Sequence, residues 1–179
     1  MPEVIFPGPD GRLEGRYHPQ KNKDAPIAII LHPHPLYGGT MNNKVVYNLH
    51  YTFHRIGFTC LRFNFRGVGR SQGEYDQGIG ELSDAAAALD YLQALNANAK
   101  NCWVAGFSFG AWIGMQLLMR RPEEGQGARK EKSYWFAGGA TETKPAISGR
   151  RISSCMPIQA PKEKPATQQE RAFGLSACR

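Results

Sequence analysis

Seven residues near the start of the chain, Pro26-Ile-Ala-Ile-Ile-Leu-His32, restrict the fold more than anything else in the sequence. Their apolar run is continuous rather than alternating, so a strand here is covered on both faces. Thr59-Cys-Leu-Arg-Phe-Asn-Phe65 and Cys102-Trp-Val-Ala-Gly106 have the same inner-strand character, and Val4–Phe6 and Leu13–Tyr17 read as short strands. Between them the apolar period lengthens. Val45, Val46, Leu49, Phe53 and Ile56 fall at helical spacing, and Gly57 ends that helix. Leu82, Ala85, Ala86, Leu89 and Leu92 form a second stripe, and Ala111 to Arg120 a third, stopped by Pro122. Strands alternating with helices build βαβ units. The expected fold class is α/β, a three-layer sandwich around a mostly parallel central sheet.

The pattern breaks at Pro122. Of the 57 residues beyond it, only Ile147, Ile152, Ile158 and Leu175 are Ile, Leu or Val. Such a segment buries too little apolar surface to offset an ordering entropy of ~1–2 kcal/mol per residue. Two parts are therefore expected: an incomplete α/β core over 1–122, and a basic tail of low hydrophobicity over 123–179, disordered or non-native. Tyr134-Trp135-Phe136 is the tail's apolar clump, a candidate for docking on exposed sheet. The chain carries a net charge of +7, of which +3 lies in 1–122 and +4 in the shorter remainder. The tail's basic residues are dispersed rather than blocked, which argues against a nucleic-acid partner. No apolar run reaches the ~18–20 residues of a membrane helix, and the first residues show no secretory signal. The four cysteines, Cys60, Cys102, Cys155 and Cys178, form no CxxC pair. That argues against a zinc ribbon or a disulfide framework, and a reducing cytoplasm is the expected location.

Chemistry is concentrated in three loops. Gly106-Phe107-Ser108-Phe109-Gly110 follows a strand directly and precedes a helix directly, the setting of a G-x-S-x-G nucleophile elbow. A turn that tight excludes flanking side chains and lifts the Ser hydroxyl to a helix N-terminus, where N–H groups favour developing negative charge. The competing reading is a Gly-Ser turn that merely caps a helix. The second loop is Leu31-His-Pro-His-Pro-Leu-Tyr-Gly-Gly39. Acyl transfer needs a second oxyanion N–H from such a loop. Pro33 and Pro35 have none to give. The backbone of His34 is the first candidate, with Leu36 or Tyr37 behind it, while Tyr37, Gly38 and Gly39 are placed to meet substrate. A metal pair of His32 and His34 competes but lacks a third ligand. The third loop, Asn64-Phe-Arg-Gly-Val-Gly-Arg-Ser71, contains G-x-G, but Gly73 comes one place late for a dinucleotide fingerprint. Asp84 and Asp90 read as solvated on a polar helix face, and Glu81 as able to reach the Arg66 loop.

Together these segments resemble the α/β-hydrolase fold, in particular its small bacterial dienelactone-hydrolase-like and serine-esterase-like members, over about residues 3–122. The resemblance implies Ser108 as nucleophile, the N–H groups of Phe109 and His34 as oxyanion hole, no cofactor, and a small-molecule ester or related acyl substrate. In that fold Asp or Glu and then His follow the Ser. Here no Asp and no His follows Ser108; His18, His32, His34, His50 and His54 all precede it. A serine without an adjacent base is a weak nucleophile. The chain is expected to be inactive or crippled unless His32 or His34 substitutes as base. The alternative is a non-catalytic fragment, truncated or frameshifted beyond Pro122, or a binding module that keeps the cleft. Missing later strands would leave a sheet edge and face uncovered. Substrate identity and oligomeric state stay open.

Overall fold

The computed structural model describes residues 2–120 and 133–138. Their elements run β1 (Glu3–Gly8), β2 (Gly11–His18), β3 (Ile27–Leu31), α1 (Lys44–Arg55), β4 (Thr59–Phe63), α2 (Ile79–Leu95), β5 (Asn101–Gly106), α3 (Phe109–Arg120) and β6 (Ser133–Gly138). The strands form one sheet in the order β1-β2-β4-β3-β5-β6. β1, β2 and β4 pair antiparallel in turn, whereas β3 pairs parallel with both β4 and β5, and β6 parallel with β5. The expected α/β class holds, with an antiparallel edge added by the first hairpin.

All five residues of β3 are buried. Their period of two splits them between faces. Ile27, Ile29 and Leu31 join Leu61, Phe63, Leu89, Leu92, Val104, Ile113 and Leu117 on the side of α2 and α3. Ala28 and Ile30 join Val46, Phe53, Cys60 and Ala105 on the side of α1. Three layers follow. Cys60 and Cys102 are buried thiols, and burial pushes Cys60 up to about 12. Among the described residues no helix is long and apolar enough to cross a membrane.

The helix boundaries follow local chemistry. Asn43 caps α1, its side chain accepting the Val45 N–H at 2.9 Å. Gly57 ends the same helix with φ +100°. Asn43→Ala should lower stability by about 0.5–2 kcal/mol. Urea unfolding of the two proteins would measure it, and an unchanged midpoint would remove the cap from the account of α1.

One difference from the sequence expectation concerns the sheet edge. β6 runs along β5 from Asn101↔Ser133 to Gly106↔Gly138. The β5 edge expected to lie uncovered is therefore paired. Tyr134-Trp135-Phe136 is part of this strand rather than a loose clump. A lone parallel strand gains its hydrogen bonds only from a pre-formed neighbour, so six residues between Gly/Pro-rich stretches carry little signal of their own. The rest of the 123–179 tail lies outside the described residues.

Candidate active site at the end of strands β3 and β5

Leu31 pairs with Gly106, so β3 and β5 end level, and their following loops meet beyond the carboxyl ends of the parallel strands. That is where open α/β sheets place ligands. The Phe107 N–H still donates to the Leu31 carbonyl at 3.2 Å. Ser108 then turns with φ +53°. A left-handed conformation costs a side-chain-bearing residue roughly 1–3 kcal/mol. Among the described residues only Gln77 shares it without being glycine. The flanking glycines are required sterically. A Cβ on Gly106 would sit 2.5 Å from the Gly110 carbonyl carbon, and one on Gly110 would strike the Leu31 and His32 carbonyls. The sharp turn leaves Ser108 exposed at the head of α3.

The first amide of α3 has nothing behind it to bond. Gly110 N–H goes to Phe107 O at 3.0 Å and Trp112 N–H to Ser108 O at 3.1 Å, while the Phe109 N–H has no partner among the described residues. Across from it lies the His32–Gly39 loop. Tyr37 N–H and Gly39 N–H both donate to the His34 carbonyl, at 3.1 and 3.0 Å. Leu36 N–H donates to His34 Nδ1 at 3.2 Å. The fallback donors Leu36 and Tyr37 are thus used inside the loop. The His34 N–H, like that of Phe109, has no partner among the described residues. The His34 ring packs on Phe109 with centroids 4.9 Å apart, holding the loop against the elbow. Gly38 supplies a left-handed turn at φ +74°. At Gly39 a side chain would collide with the loop's own Pro33 carbonyl, so its missing Cβ serves loop closure. Tyr37 is 86% exposed at the rim.

Neither histidine of this loop is available as a base for Ser108, which corrects the expectation that one of them substitutes. His32 is fully buried. Its Nδ1 donates to Pro33 O at 2.6 Å and its Nε2 accepts the Phe65 N–H at 3.0 Å. Burial holds it neutral, its pKa lowered to about 4. The ring staples the end of β3 to the end of β4. His34 commits Nδ1 to Leu36 N–H and Nε2 to the Tyr75 hydroxyl, 3.1 Å away. The same bonds occupy the nitrogens a metal pair would need. Among the described residues no group of three or more His, Cys, Asp or Glu could hold a metal ion. The remaining imidazoles, His18, His50 and His54, cluster with one another at β2 and α1.

The Asn64–Ser71 loop is a wired scaffold. Glu14 accepts from Asn64 Nδ2 at 3.0 Å and from the Arg70 N–H at 2.9 Å. Asn64 Oδ1 accepts the Met41 N–H at 2.8 Å, and Ser71 Oγ donates to Asn64 O at 2.7 Å. The expectation of solvated carboxylates on α2 fails at Asp84. It is buried and takes Arg66 through the backbone N–H, Nε and Nη2 at 3.1, 3.0 and 2.8 Å. Asp90 is exposed. Glu81 does not reach Arg66 by hydrogen bond; it accepts the N–H groups of Asp76 and Gly78 at 2.9 and 2.7 Å. Arg66 and the half-buried Tyr75 border a cleft of about 250 Å³ beside the His34 loop. Tyr75 escaped the sequence reading, because nothing local ties it to a histidine 41 positions away. A larger, open hollow of about 400 Å³ lies between Tyr17 and Asn96, by the loops that enter β3 and β5, and touches none of these groups.

Comparison with known proteins gives the family. Residues 15–173 match the family described as X-Pro dipeptidyl-peptidase (S15 family). An uncharacterized protein of Rickettsia prowazekii is 61% identical over 123 residues, covering 69% of this chain and 52% of its own length. The chain thus spans about half the length of this curated relative. Among solved structures, a candidate alpha/beta hydrolase of unknown function from Agrobacterium tumefaciens is 59% identical, with TM-score 0.67 over 76% of this chain and 70% of that one. An alpha-beta serine hydrolase homologue from Coxiella burnetii is 36% identical, with TM-score 0.65 over 76% and 73%. A lidless serine hydrolase from Xanthomonas campestris is 28% identical, with TM-score 0.62 over 76% and 70%.

Proposed function

The chain belongs to the α/β-hydrolase superfamily, within the family described as X-Pro dipeptidyl-peptidase (S15 family), and from that premise we propose that Ser108 is the nucleophile of an acyl-transfer site. Its Oγ attacks the carbonyl carbon of a small-molecule ester and gives its proton to water, the N–H groups of Phe109 and His34 receive the oxyanion, and the ester C–O bond then breaks to release the alkoxide or phenoxide and leave the acyl group on Ser108. The observation that carries this reading is the left-handed turn at Ser108, with the amides of the adjoining Phe109 and of His34 without partners among the described residues. Such donors, fixed before the reaction, stabilise charge without reorganising.

The state of the histidines selects the bond. An amide passes through the same oxyanion, but its amine leaves only when a general acid protonates it. No described imidazole is free beside Ser108 to do so. An ester with a good alkoxide or phenoxide leaving group makes no such demand. Without a base, a serine site keeps only ~10³–10⁴-fold over water, from oxyanion stabilisation and binding. Slow turnover is therefore expected of the chain as it stands.

A fluorophosphonate probe tests the nucleophile. Ser108 should be labelled, slowly, and Ser108→Ala not at all; peptide mapping locates the adduct. An unlabelled wild-type protein would retire the nucleophile. The second reading, a module that binds in the cleft without chemistry, would then hold. It is favoured by the full commitment of both loop imidazoles.

A further inference from the structure

Resting on the reading of the Ser108 site above, we propose that Tyr75 is a substrate-binding residue: its phenol O–H donates to an acceptor oxygen of a bound ester, and the His34 imidazole aims it. The argument begins with a tautomer. His34 Nδ1 accepts the Leu36 N–H at 3.2 Å. A neutral imidazole that accepts at Nδ1 carries its proton on Nε2. The 3.1 Å contact to Tyr75 therefore runs from His34 Nε2–H to the phenol oxygen. A phenol that receives a proton there still has its own to give. Among the described residues no acceptor takes it.

The phenol sits where a ligand would reach it. Its ring lies against His34, centroids 5.1 Å apart, and 6.2 Å from Phe109, the residue next to Ser108. With Pro35, Leu36, Arg66 and Glu74 it lines the cleft of about 250 Å³ between the Pro35–Leu36 end of the His34 loop and the Arg66–Tyr75 segment, a cleft that Ser108 does not line. Burial, and then the charge of Glu81, raise the phenol's pKa, so it keeps its proton near neutrality. Donors thus point in one direction, from the Leu36 amide through the imidazole to the phenol and out into the cleft. At the cleft this O–H gives its proton to water until a ligand oxygen takes the water's place. The backbone of His34 is a proposed oxyanion donor, and its side chain is a positioning group for a second contact.

The test uses the full-length chain carrying Ser108→Ala, so that the ester survives. Binding of p-nitrophenyl butyrate is measured by calorimetry with and without Tyr75→Phe, which keeps the ring and removes the hydroxyl. Kd should rise ~3–10-fold, the weight of one hydrogen bond. An unchanged Kd overturns the proposal, as does a parent protein that binds no ester. Nitrogen-15 spectra of the imidazoles give a second readout that ring packing alone would not set. The proton should be on Nε2 of His34 and on Nδ1 of His32; Nδ1–H at His34 overturns the proposal. Fluorophosphonate labelling reports separately on Ser108. Labelling with Tyr75-independent binding sinks the Tyr75 contact alone, and Tyr75-dependent binding without labelling sinks the nucleophile alone.

Discussion

Replacing Asp84 by alanine should destabilise the protein by about 3–5 kcal/mol, the cost of stranding a buried charge. That is a large part of the 5–15 kcal/mol that holds a typical domain together. The side chains of Arg66 and Asp84 are 9% and 1% exposed. Asp84 accepts three bonds from the one arginine, and its hydrogen bond is the main cause that raises the Arg66 pKa. Asp10, at 3.6 Å and well exposed, is no substitute. The guanidinium cannot swing away freely, because it lies across Gly80, where even a methyl group would collide with it. Denaturant unfolding of the variant gives the number. A second variant separates charge from shape: Arg66→Met with Asp84→Leu should recover only part of the loss, since the apolar pair removes the stranded charge but leaves the Arg66 N–H without its acceptor. A loss below about 1 kcal/mol for Asp84→Ala would mean the carboxylate behaves as a solvated surface group.

Solvated is how residue chemistry alone reads Asp84, and the reason it misleads is specific. Ala85, Ala88, Leu89 and Leu92 are the buried stripe of α2, and the helical period extends it backwards to Asp84 and Glu81. Periodicity thus places both carboxylates inward. Residue chemistry argues outward, because a buried carboxylate is stable only with a partner. The partners, Arg66 and the amides of Asp76 and Gly78, come from the preceding loop, and no spacing rule links them to α2. By contrast, β3 and the Ser108 turn are legible because their signals are local. A run apolar at every position demands two covering layers, and two glycines around a serine between strand and helix permit only one kind of turn. The loop histidines fall between these cases. Their sequence spacing suggests a shared task. The structure instead gives them opposite tautomers, one proton on Nδ1 of His32 and the other on Nε2 of His34, each set by an amide from a different segment. β6 was hidden for a related reason: what makes it a strand is the edge of β5, more than twenty residues earlier.

Lowering the pH from 7 to 5 should remove roughly 4 kcal/mol of stability, about half from His32 and half from His50. Burial lowers His32 to about 4 and His50 to about 3, from 6.5. The direction follows from proton counting. Between these values and 6.5 the unfolded chain binds more protons than the folded one, so stability falls as pH falls. The contribution is intact above about pH 7, declines through the window from 6.5 to 3, and is constant below it. At His50 burial acts first, followed by the charge of Arg62 and by His18 and His54. Both of its ring nitrogens are without a partner among the described residues, so an added proton has no acceptor to meet. Unfolding curves at pH 7, 6 and 5 stay above the range where most carboxylates titrate. His50→Leu should flatten the dependence by about half. A slope that survives this change would remove His50 from the account, and a flat wild-type profile would remove both residues. His32 ties the same acid sensitivity to the cleft. Once protonated, its Nε2–H would face the Phe65 N–H, donor against donor, where an acceptor had been. The staple between β3 and β4 then opens, and the loop that carries the His34 amide loses its anchor beside Ser108.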